Sequence, residues 1–193
     1  MNAIVVGNAN SLLKVKNGNI INTFDKVIRL NKFIIKGYED YVGDKTDIYC
    51  SKWLNMSYNI NVINSVDTIW LPYPKPPSWW TTKGNFKEIT QEQHNLYVKQ
   101  YNLKNISYLN KDKAIEIEKI FKNTCQPSTG LIALMIAIQE LKDHNIYYTG
   151  FDNFSTGWYW DATHDCTKNM QNSILFEKIF INYIQTQYGI RKL

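Results

Sequence analysis

A segment that is apolar on nearly every side, Leu131 to Leu141, is the feature that most constrains how this chain folds. A helix without a polar face has to be buried, and packing against a sheet buries it. The segment follows Pro127-Ser128-Thr129-Gly130 and precedes a short strand-like run, Ile146 to Thr149. A buried helix that leads into a buried strand is typical of α/β proteins.

The alternation of strand-like and helix-like segments continues along the chain. Short runs of branched and aromatic residues predict strands, and apolar residues at a spacing of three to four predict helices. We therefore predict further strands over Ile4 to Val6, Val27 to Leu30, Asp47 to Tyr49 and Thr68 to Leu71, and helices over Lys111 to Lys122 and Lys168 to Tyr188. Together they predict one α/β domain over residues 1–193, with a Rossmann-like, mostly parallel sheet and flanking helices.

Composition and charge exclude several classes of protein. The chain has 193 residues, of which 44% are hydrophobic, and it lacks both a secretory signal and an apolar run long enough to span a membrane. We therefore expect no transmembrane segment and a cytoplasmic location. The net charge of +5 comes from scattered lysines, which predicts no nucleic-acid partner. Cys50, Cys125 and Cys166 match no zinc pattern and predict free thiols.

Polar side chains follow the first two predicted strands. Asn8, Asn10 and Ser11 come after the first strand, and Asn31 comes after the second. The carboxyl ends of parallel strands meet at one edge of a sheet, where α/β proteins bind ligands. Amide and hydroxyl groups there can bind phosphate or sugar oxygens, and a simple polar turn is the alternative. Neither loop carries the glycine fingerprint of a dinucleotide site or a Walker sequence.

Arg29 lies on the second predicted strand, which places a guanidinium group in the interior. A buried cation needs partners that replace its hydration. We predict a structural ion pair between Arg29 and either Asp25 or Asp47.

The turn before the buried helix allows two interpretations. Ser128 or Thr129 can cap the helix, which is a purely structural role. The free backbone N–H groups at the same helix start, next to the small Gly130, also suit an anion or a nucleotide. The sequence leaves both interpretations open.

An aromatic loop follows the strand that ends at Gly150 and Phe151. It contains Trp158-Tyr159-Trp160-Asp161 and, shortly afterwards, His164. A buried aromatic plug is one interpretation. The other is a catalytic loop, because a histidine with an ordinary pKa of ~6.5 can accept a proton at neutral pH. The sequence has no Asp-x-Asp pair, so we expect no metal ion, and neutral donors and helix dipoles must stabilise a departing phosphate.

Taken in order, these segments resemble the four short motifs of the eukaryotic-type sialyltransferases, glycosyltransferase family 29. The long motif is similar to residues 4–46, including Val5-Val6-Gly7-Asn8 and Arg29-Leu30-Asn31. The short motif resembles residues 127–151. The third motif, His-Tyr-Tyr/Trp-Glu in the family, resembles Trp158-Tyr159-Trp160-Asp161, and the histidine that opens the last motif matches His164.

The resemblance implies the sialyltransferase variant of the GT-A fold. It also implies inverting, metal-independent transfer of sialic acid from CMP-sialic acid to a sugar hydroxyl, with no cofactor besides the donor substrate. The family's catalytic base falls on His164. Its nucleotide-sugar site falls on Asn8, Asn31, Ser128, Thr129, Gly130, Gly150 and Phe151, to which we add Asn10, Ser11, Trp158 and Tyr159.

Several positions differ from the family's pattern. The cysteines of the family's disulfide correspond to Ala3 and Leu141. The third-motif histidine corresponds to Trp158, whose indole N–H donates one hydrogen bond but carries no charge, so we expect Tyr159 to contact the leaving phosphate. The final glutamate corresponds to Asn169. We also expect no membrane anchor and stem of the kind found in the family, which favours a bacterial or viral protein over a Golgi enzyme.

The leading prediction is thus a sialyltransferase whose partners are a nucleotide-sugar donor and a glycan acceptor. Trp79 and Trp80, at the end of a proline-rich loop over residues 72–80, allow two interpretations: an acceptor platform, because flat aromatic faces suit sugars, or packing in the core or a lid. Two alternatives stay open: a transferase for a related CMP-activated acidic sugar, and a non-catalytic nucleotide- or glycan-binding protein. No motif indicates the acceptor, the linkage or the oligomeric state.

Overall fold

The computed structural model describes residues 1–51, 63–71, 91–100, 105–121, 127–161, 163 and 171–193. Within them, seven strands form one sheet in which every pairing is parallel. The order across the sheet is 5-4-3-2-1-6-7, which confirms the predicted α/β architecture. The strands are β1 (Asn2–Val6), β2 (Lys26–Leu30), β3 (Ile48–Cys50), β4 (Thr68–Leu71), β5 (Asn105–Tyr108), β6 (Asn145–Thr149) and β7 (Arg191–Lys192).

Helices cover both faces of the sheet. They are α1 (Gly18–Asn22), α2 (Glu39–Val42), α3 (Gln91–Gln100), α4 (Lys111–Phe121), α5 (Thr129–Glu140) and α6 (Gln171–Tyr188), with a 3₁₀-helix over Asn10–Lys14. Helices α4, α5 and α6 share one apolar core with one face of the sheet. The 3₁₀-helix, α1 and α2 contribute to a second core on the opposite face. The arrangement is a three-layer α/β/α domain core.

Strand β1 shows how the sheet is buried on both faces. Ala3 and Val5 belong to the core that contains α5, whereas Ile4 and Val6 pack with Leu12 of the 3₁₀-helix. Each of these strand residues is at most 2% exposed. Burial on both faces is the reason that the strand reads as one apolar run rather than as an alternating pattern.

Helix α5 is the buried helix that the sequence predicts. It begins at Thr129, two residues before the apolar segment, and every residue from Thr129 to Ala137 is buried. Its residues lie against β1, β2, β5 and β6. The helix therefore runs across the middle of the sheet, and its first turn lies at the carboxyl edge of β2.

The chain changes direction next to β1. Strands β1 to β5 are laid down successively outward on one side, and the chain then returns to place β6 on the other side of β1. Such a reversal is a topological switch point, and ligands of open α/β sheets bind outside the carboxyl ends of the strands there. The loops after β1, β2 and β6 border this switch point, so a ligand site is expected among them.

Some elements were not predicted. All five strands expected from the sequence are present, but β5 and the two-residue β7 lack an apolar run. Helices α1 and α2 are too short to show a period, and α3 is polar. The predicted loop over residues 72–80 and the first three residues of the predicted last helix lie outside the described residues.

Cys50 is a buried free thiol, as predicted, and burial raises its pKa. Cys125 and Cys166 lie outside the described residues. Among the helices of the described ranges, none combines the length and the apolar character that crossing a membrane requires.

Candidate functional site

The loops after β1 and β2 are joined by Asn8. Its Nδ2 donates to the carbonyl oxygens of Leu30 (3.1 Å) and Lys32 (3.0 Å), which flank Asn31. The Asn8 Oδ1 is buried and has no hydrogen-bond partner among the described residues. The predicted placement of Asn8 and Asn31 at the same edge of the sheet is thus confirmed, and Asn8 shapes the second loop directly.

Asn31 links the second loop to the start of helix α5. Its backbone lies in the left-handed region, with φ of 46°, which asparagine tolerates better than most residues. The Asn31 Nδ2 donates to Thr129 Oγ1 at 3.0 Å. Because Thr129 accepts in this bond, its hydroxyl keeps a proton to donate. The backbone N–H groups of Thr129 and Gly130 lie in the first helical turn, where donors have no intrahelical acceptor.

The polar groups of Ser128 form hydrogen bonds with other residues of the protein. Its Oγ caps α5 by accepting from Leu131 N at 3.2 Å. Glu177 of α6, which is 3% exposed, accepts from Ser128 N at 2.6 Å and from Ser128 Oγ at 2.9 Å. Glu177 was missed from the sequence, although an acid one residue after Phe176 interrupts the apolar stripe of that helix. Ser128 therefore holds the turn in place, and Thr129 and Gly130 present its polar groups.

Phe151 fills the space between two glycines. A Cβ on Gly130 would lie 2.5 Å from Phe151 Cε1, and a Cβ on Gly7 would lie 2.9 Å from Phe151 Cδ2. The same Cβ on Gly7 would lie 2.2 Å from the carbonyl oxygen of Gly150. The ring of Tyr148 meets that of Phe151 edge-on, with centroids 5.5 Å apart. Gly7, Gly130, Gly150 and Phe151 are thus one packing unit at the switch point.

The loop after β6 is held in an unfavourable backbone conformation. Asn153 and Phe154 both have positive φ, 54° and 60°, and they follow Gly150 at 70°. Thr156 Oγ1 donates to the Asp152 carboxylate, and burial raises the pKa of Asp152 above its ordinary value. The Asn153 Oδ1 is buried without a partner among the described residues. Strain of this kind is concentrated at functional sites.

Tyr159 ties the aromatic loop to the loop after β2. Its backbone N–H donates to Asn8 O at 3.0 Å. Its hydroxyl donates to Ile34 O at 2.5 Å and accepts from Ile34 N at 2.9 Å. Tyr159 is 4% exposed, and burial raises its pKa to about 12. The single hydroxyl proton is therefore already used on Ile34, which makes Tyr159 a tether between loops in this structure.

The remaining predicted residues near this edge are half-buried. Asn10 and Ser11 lie on the 3₁₀-helix, where the N–H of Asn10 donates to Gly157 O (2.8 Å) and Thr156 Oγ1 (3.1 Å). Trp158 forms an antiparallel bridge with Ala9, next to Asn8. The aromatic loop is therefore attached to the loop after β1 along its length.

The prediction for Arg29 was wrong in its partners. Arg29 is buried at 1% exposure, but its guanidinium donates to the carbonyl oxygens of Val42 (2.8 Å), Gly43 (3.0 Å) and Lys45 (3.0 Å) and to Thr46 Oγ1 (3.0 Å). Helix α2 ends here, and carbonyls at a helix C-terminus lack intrahelical donors, so they attract a cation. Asp47, one of the predicted partners, instead accepts from Val27 N at 2.7 Å. Burial lowers the pKa of Arg29 to about 10.

The structure thus brings together the predicted residues on four segments: Asn8, Asn10, Ser11, Asn31, Ser128, Thr129, Gly130, Gly150, Phe151, Trp158 and Tyr159. His164, Asn169, Trp79 and Trp80 lie outside the described residues, so their predicted roles stay predictions. Within the described ranges, histidine, cysteine, aspartate and glutamate side chains form no group of three or more that could hold a metal ion.

Comparison with curated proteins gives relatives of one kind. The chain is 27% identical over 210 aligned residues to CMP-N-acetylneuraminate-beta-galactosamide-alpha-2,3-sialyltransferase 1 of Gallus gallus. That alignment covers 98% of this chain and 56% of the relative, so the chain spans about half of the relative's length. A shorter match, 38% identical over 66 residues, covers 34% of this chain and 20% of CMP-N-acetylneuraminate-beta-galactosamide-alpha-2,3-sialyltransferase 4 of Rattus norvegicus.

Solved structures share the fold. A crystal structure of a mammalian sialyltransferase matches with a TM-score of 0.58 at 20% identity and covers 100% of this chain and 68% of its own. The crystal structure of a mammalian sialyltransferase in complex with Gal-beta-1-3GalNAc-ortho-nitrophenol matches with a TM-score of 0.56 at 19% identity. At these identities the likeness establishes the α/β fold.

The family model described as glycosyltransferase family 29 (sialyltransferase) matches residues 2–187. This range contains all the loops that converge on the switch point between β1 and β6. The chain belongs to glycosyltransferase family 29, the sialyltransferases.

Proposed function

We propose that this chain transfers sialic acid from CMP-sialic acid to a sugar hydroxyl, with inversion and without a metal ion. The observation that carries the proposal is the contact between Asn31 and Thr129, because it joins the loop after β2 to the start of α5 beside the switch point. Family membership supplies the donor and the reaction class. The relatives' names point to an α-2,3 linkage, and the Gal-beta-1-3GalNAc group bound by the mammalian sialyltransferase of the same fold points to a β-galactoside as the first acceptor to test.

In the proposed reaction the acceptor oxygen attacks the anomeric carbon on the face opposite the phosphate. The new carbon–oxygen bond forms as the bond to the phosphate oxygen breaks, and CMP leaves with that electron pair. The positive charge that develops on the ring is of the oxocarbenium type usual in glycosyl transfer. The proton of the acceptor hydroxyl passes to a general base, for which we propose His164.

The described residues offer neutral donors for the negative charge on CMP. The Thr129 hydroxyl has a proton to donate, and the N–H groups of Thr129 and Gly130 lie at the positive end of a helix dipole. Fixed dipoles need no reorganisation as charge develops, so they stabilise a departing phosphate without a metal ion. Ser128 and Tyr159 contribute indirectly to donor binding, because their hydroxyl groups hold the turn and the loop in position.

The role of His164 is tested by replacing it with alanine. A general base contributes about 10²–10⁴-fold to the rate. We therefore expect His164→Ala to lower transfer by at least about 100-fold while the Kd for CMP, measured by calorimetry, changes little. Equal losses of CMP affinity and of thermal stability would assign His164 a structural role instead.

The reaction itself is tested with purified protein, CMP-sialic acid and a β-galactoside in the presence of EDTA. We expect release of one CMP for each sialylated product, and product analysis gives the linkage. Transfer that stops on adding EDTA contradicts metal independence. If transfer occurs only from another CMP-activated acidic sugar, the proposed donor is wrong but the proposed nucleotide site stands.

A non-catalytic binding protein is the second candidate. It is favoured by one observation, the uncharged Trp158 where the family's third motif has histidine, with its ring against Trp160 at a centroid distance of 4.5 Å. Tight CMP binding with neither transfer nor donor hydrolysis identifies this function. The two candidates share the nucleotide site, so calorimetry with CMP tests what they have in common.

A further inference from the structure

Lys32 is a cation that lies among the loops of the candidate site. It directly follows Asn31, and its carbonyl oxygen accepts from Asn8 Nδ2 at 3.0 Å. The Lys32 Nζ lies 4.6 Å from the centroid of the Trp160 ring. The backbone of Lys32 is thus fixed by one loop of the site, and its ammonium group is placed by another.

The ring that places the ammonium group is itself anchored. Trp160 packs against Trp158 with centroids 4.5 Å apart, and Trp158 bridges to Ala9 in the loop after β1. The Trp160 Nε1 is buried and has no hydrogen-bond partner among the described residues. The Trp160 ring therefore has the Lys32 ammonium over its face, and its own buried N–H has no hydrogen-bond partner among the described residues.

The Lys32 ammonium differs from those of the three described lysines that form ion pairs, although two of these, Lys16 and Lys113, also lie over a tyrosine ring at 5.7 and 4.2 Å from its centroid. Lys16, Lys45 and Lys113 each lie within 4.0 Å of a carboxylate, at 2.8, 3.5 and 2.9 Å. Lys32 has no carboxylate within that distance in the described part of the chain, and a tryptophan face attracts a cation without cancelling its charge. The Lys32 ammonium therefore lies over the Trp160 ring with no carboxylate among the described residues to neutralise it.

The neighbouring groups of the candidate site supply no other positive charge for an anionic ligand among the described residues. Arg29, on the strand that precedes Lys32, is buried with its guanidinium directed at the backbone carbonyls of the α2 terminus. Asn8, Asn31 and Thr129 are neutral, whereas a CMP-activated acidic sugar carries a phosphate and a carboxylate. An anionic donor therefore meets neutral dipoles at α5 and an available cation at Lys32.

We propose that Lys32, placed over the face of Trp160, binds an oxyanion of the nucleotide-sugar donor and is a donor-binding residue of this site. The proposal rests on the proposed function for its ligand. The phosphate and the sugar carboxylate share the chemistry that an ammonium recognises, and the experiment distinguishes them.

The test compares Lys32→Gln with Lys26→Gln by calorimetry. Lys26 begins strand β2 at the opposite edge of the sheet and is exposed like Lys32, so it is a matched control. If Lys32 binds the phosphate, Lys32→Gln weakens CMP about fivefold, leaves cytidine unchanged, and makes CMP binding less sensitive to salt. If it binds the carboxylate, CMP affinity is unchanged and CMP-sialic acid is weakened by the same factor. Lys26→Gln is expected to change none of these affinities.

Two further variants test how Lys32 acts. Lys32→Arg is expected to keep CMP or CMP-sialic acid affinity within about twofold, because a guanidinium also stacks on an aromatic face. Trp160→Leu removes the ring, so Lys32→Gln should have less effect in that background. Trp160→Phe keeps a weaker aromatic face with a smaller change in packing, so the effect of Lys32→Gln there should be intermediate. Full additivity of the two substitutions contradicts placement by Trp160.

The outcomes separate the two proposals. If the wild-type protein binds CMP and Lys32→Gln binds CMP and CMP-sialic acid as Lys26→Gln does, the inference about Lys32 is wrong and the proposed function stands. If the wild-type protein binds neither CMP nor CMP-sialic acid, the proposed function fails and the inference fails with it.

Discussion

The two edges of the sheet are built from the same strands but differ in backbone conformation and in how closely their loops pack. At the amino edge, Asn2 N donates to Asp25 Oδ2 at 2.6 Å and Asn145 Nδ2 donates to Asn2 Oδ1 at 3.1 Å, all between exposed residues. At the carboxyl edge, loops far apart in sequence touch through glycines that leave no room for a Cβ. In the described part of the chain, the non-glycine residues with positive φ all follow β2 or β6 there: Asn31, Asn153 and Phe154.

The difference shows where this fold tolerates strain. Sheet pairing and core packing are continuous between the two edges, so they do not require the unusual backbone at one of them. Residues in such conformations persist where surrounding contacts over-determine them. Among the described residues, the strained non-glycine backbone is thus confined to the carboxyl edge, where the proposed site lies, and the amino edge closes the sheet with ordinary surface hydrogen bonds.

The largest effect is expected from Gly7→Ala at the carboxyl edge. The new Cβ would lie 2.2 Å from the Gly150 carbonyl oxygen, and backbone cannot yield as a side chain can. We expect a loss of about 3 kcal/mol or more in the free energy of unfolding, measured by urea denaturation. Gly189→Ala is the control, because it has positive φ of 65° but open space, and should cost about 1–2 kcal/mol. Similar losses for both would mean that close packing at Gly7 is not the cause.

The next effect is expected from Glu177→Ala. It leaves the Ser128 N–H without its acceptor in a largely buried place, which costs about 2–3 kcal/mol. Because the turn also presents Thr129, we expect weaker CMP binding as well. Glu177→Gln keeps one acceptor oxygen and should recover about half of the lost stability. Unchanged CMP affinity in a folded Glu177→Ala protein contradicts a link between this acid and the site.

Tyr159→Phe probes the loop tether and its pH dependence. The variant loses the bonds to Ile34, which costs about 1–2 kcal/mol at neutral pH. The folded pKa of about 12 exceeds the ordinary value of 10.0, so the stabilisation is full below pH 10 and is lost as the pH rises toward 12. Stability of the wild type should therefore fall more steeply than that of the variant over this range. Arg29 is present in both proteins, so the difference between their stability curves reports the titration of Tyr159. Parallel curves for the wild type and Tyr159→Phe contradict the role of the Tyr159 hydroxyl as a tether.

The smallest effect is expected from Asn145→Ala at the amino edge. Asn145 makes an exposed side-chain bond to Asn2, and such surface changes stay within about 0.5 kcal/mol. CMP affinity should not change, because the substitution lies at the edge opposite the site. A change in CMP affinity as large as that in Glu177→Ala would remove the distinction between the two edges.

The sequence predicted those parts of the site that depend on strand direction. Because the strands run parallel, residues that follow strands meet at one edge, and this placed Asn8 and Asn31 together, whereas Gly150 and Phe151 were added by the resemblance to the family. The turn before α5 was predicted as a cap or a nucleotide cradle. The structure assigns the cap to Ser128 and leaves Thr129 and Gly130 for the second role.

The contacts that the sequence did not predict join side chains to distant partners. Glu177 reaches Ser128 across 49 residues and Tyr159 reaches Ile34 across 125, and no local pattern encodes such pairs. Arg29 was predicted to pair with Asp25 or Asp47, but the end of α2 brought carbonyl oxygens closer. Buried polar groups bond to whatever the tertiary fold presents, which is why composition and periodicity do not identify their partners.

The packing of Phe151 between Gly7 and Gly130 constrains how the sequence of such a protein can evolve. A side chain smaller than phenylalanine at position 151 would leave a cavity beside both glycines, and a side chain at either glycine would collide with the Phe151 ring. Single substitutions in these segments therefore pass through a damaged intermediate, whereas compensating pairs do not. Lineages of this chain should exchange residues there in matched sets, and a library that varies the positions jointly should yield folded members that one-at-a-time mutagenesis misses.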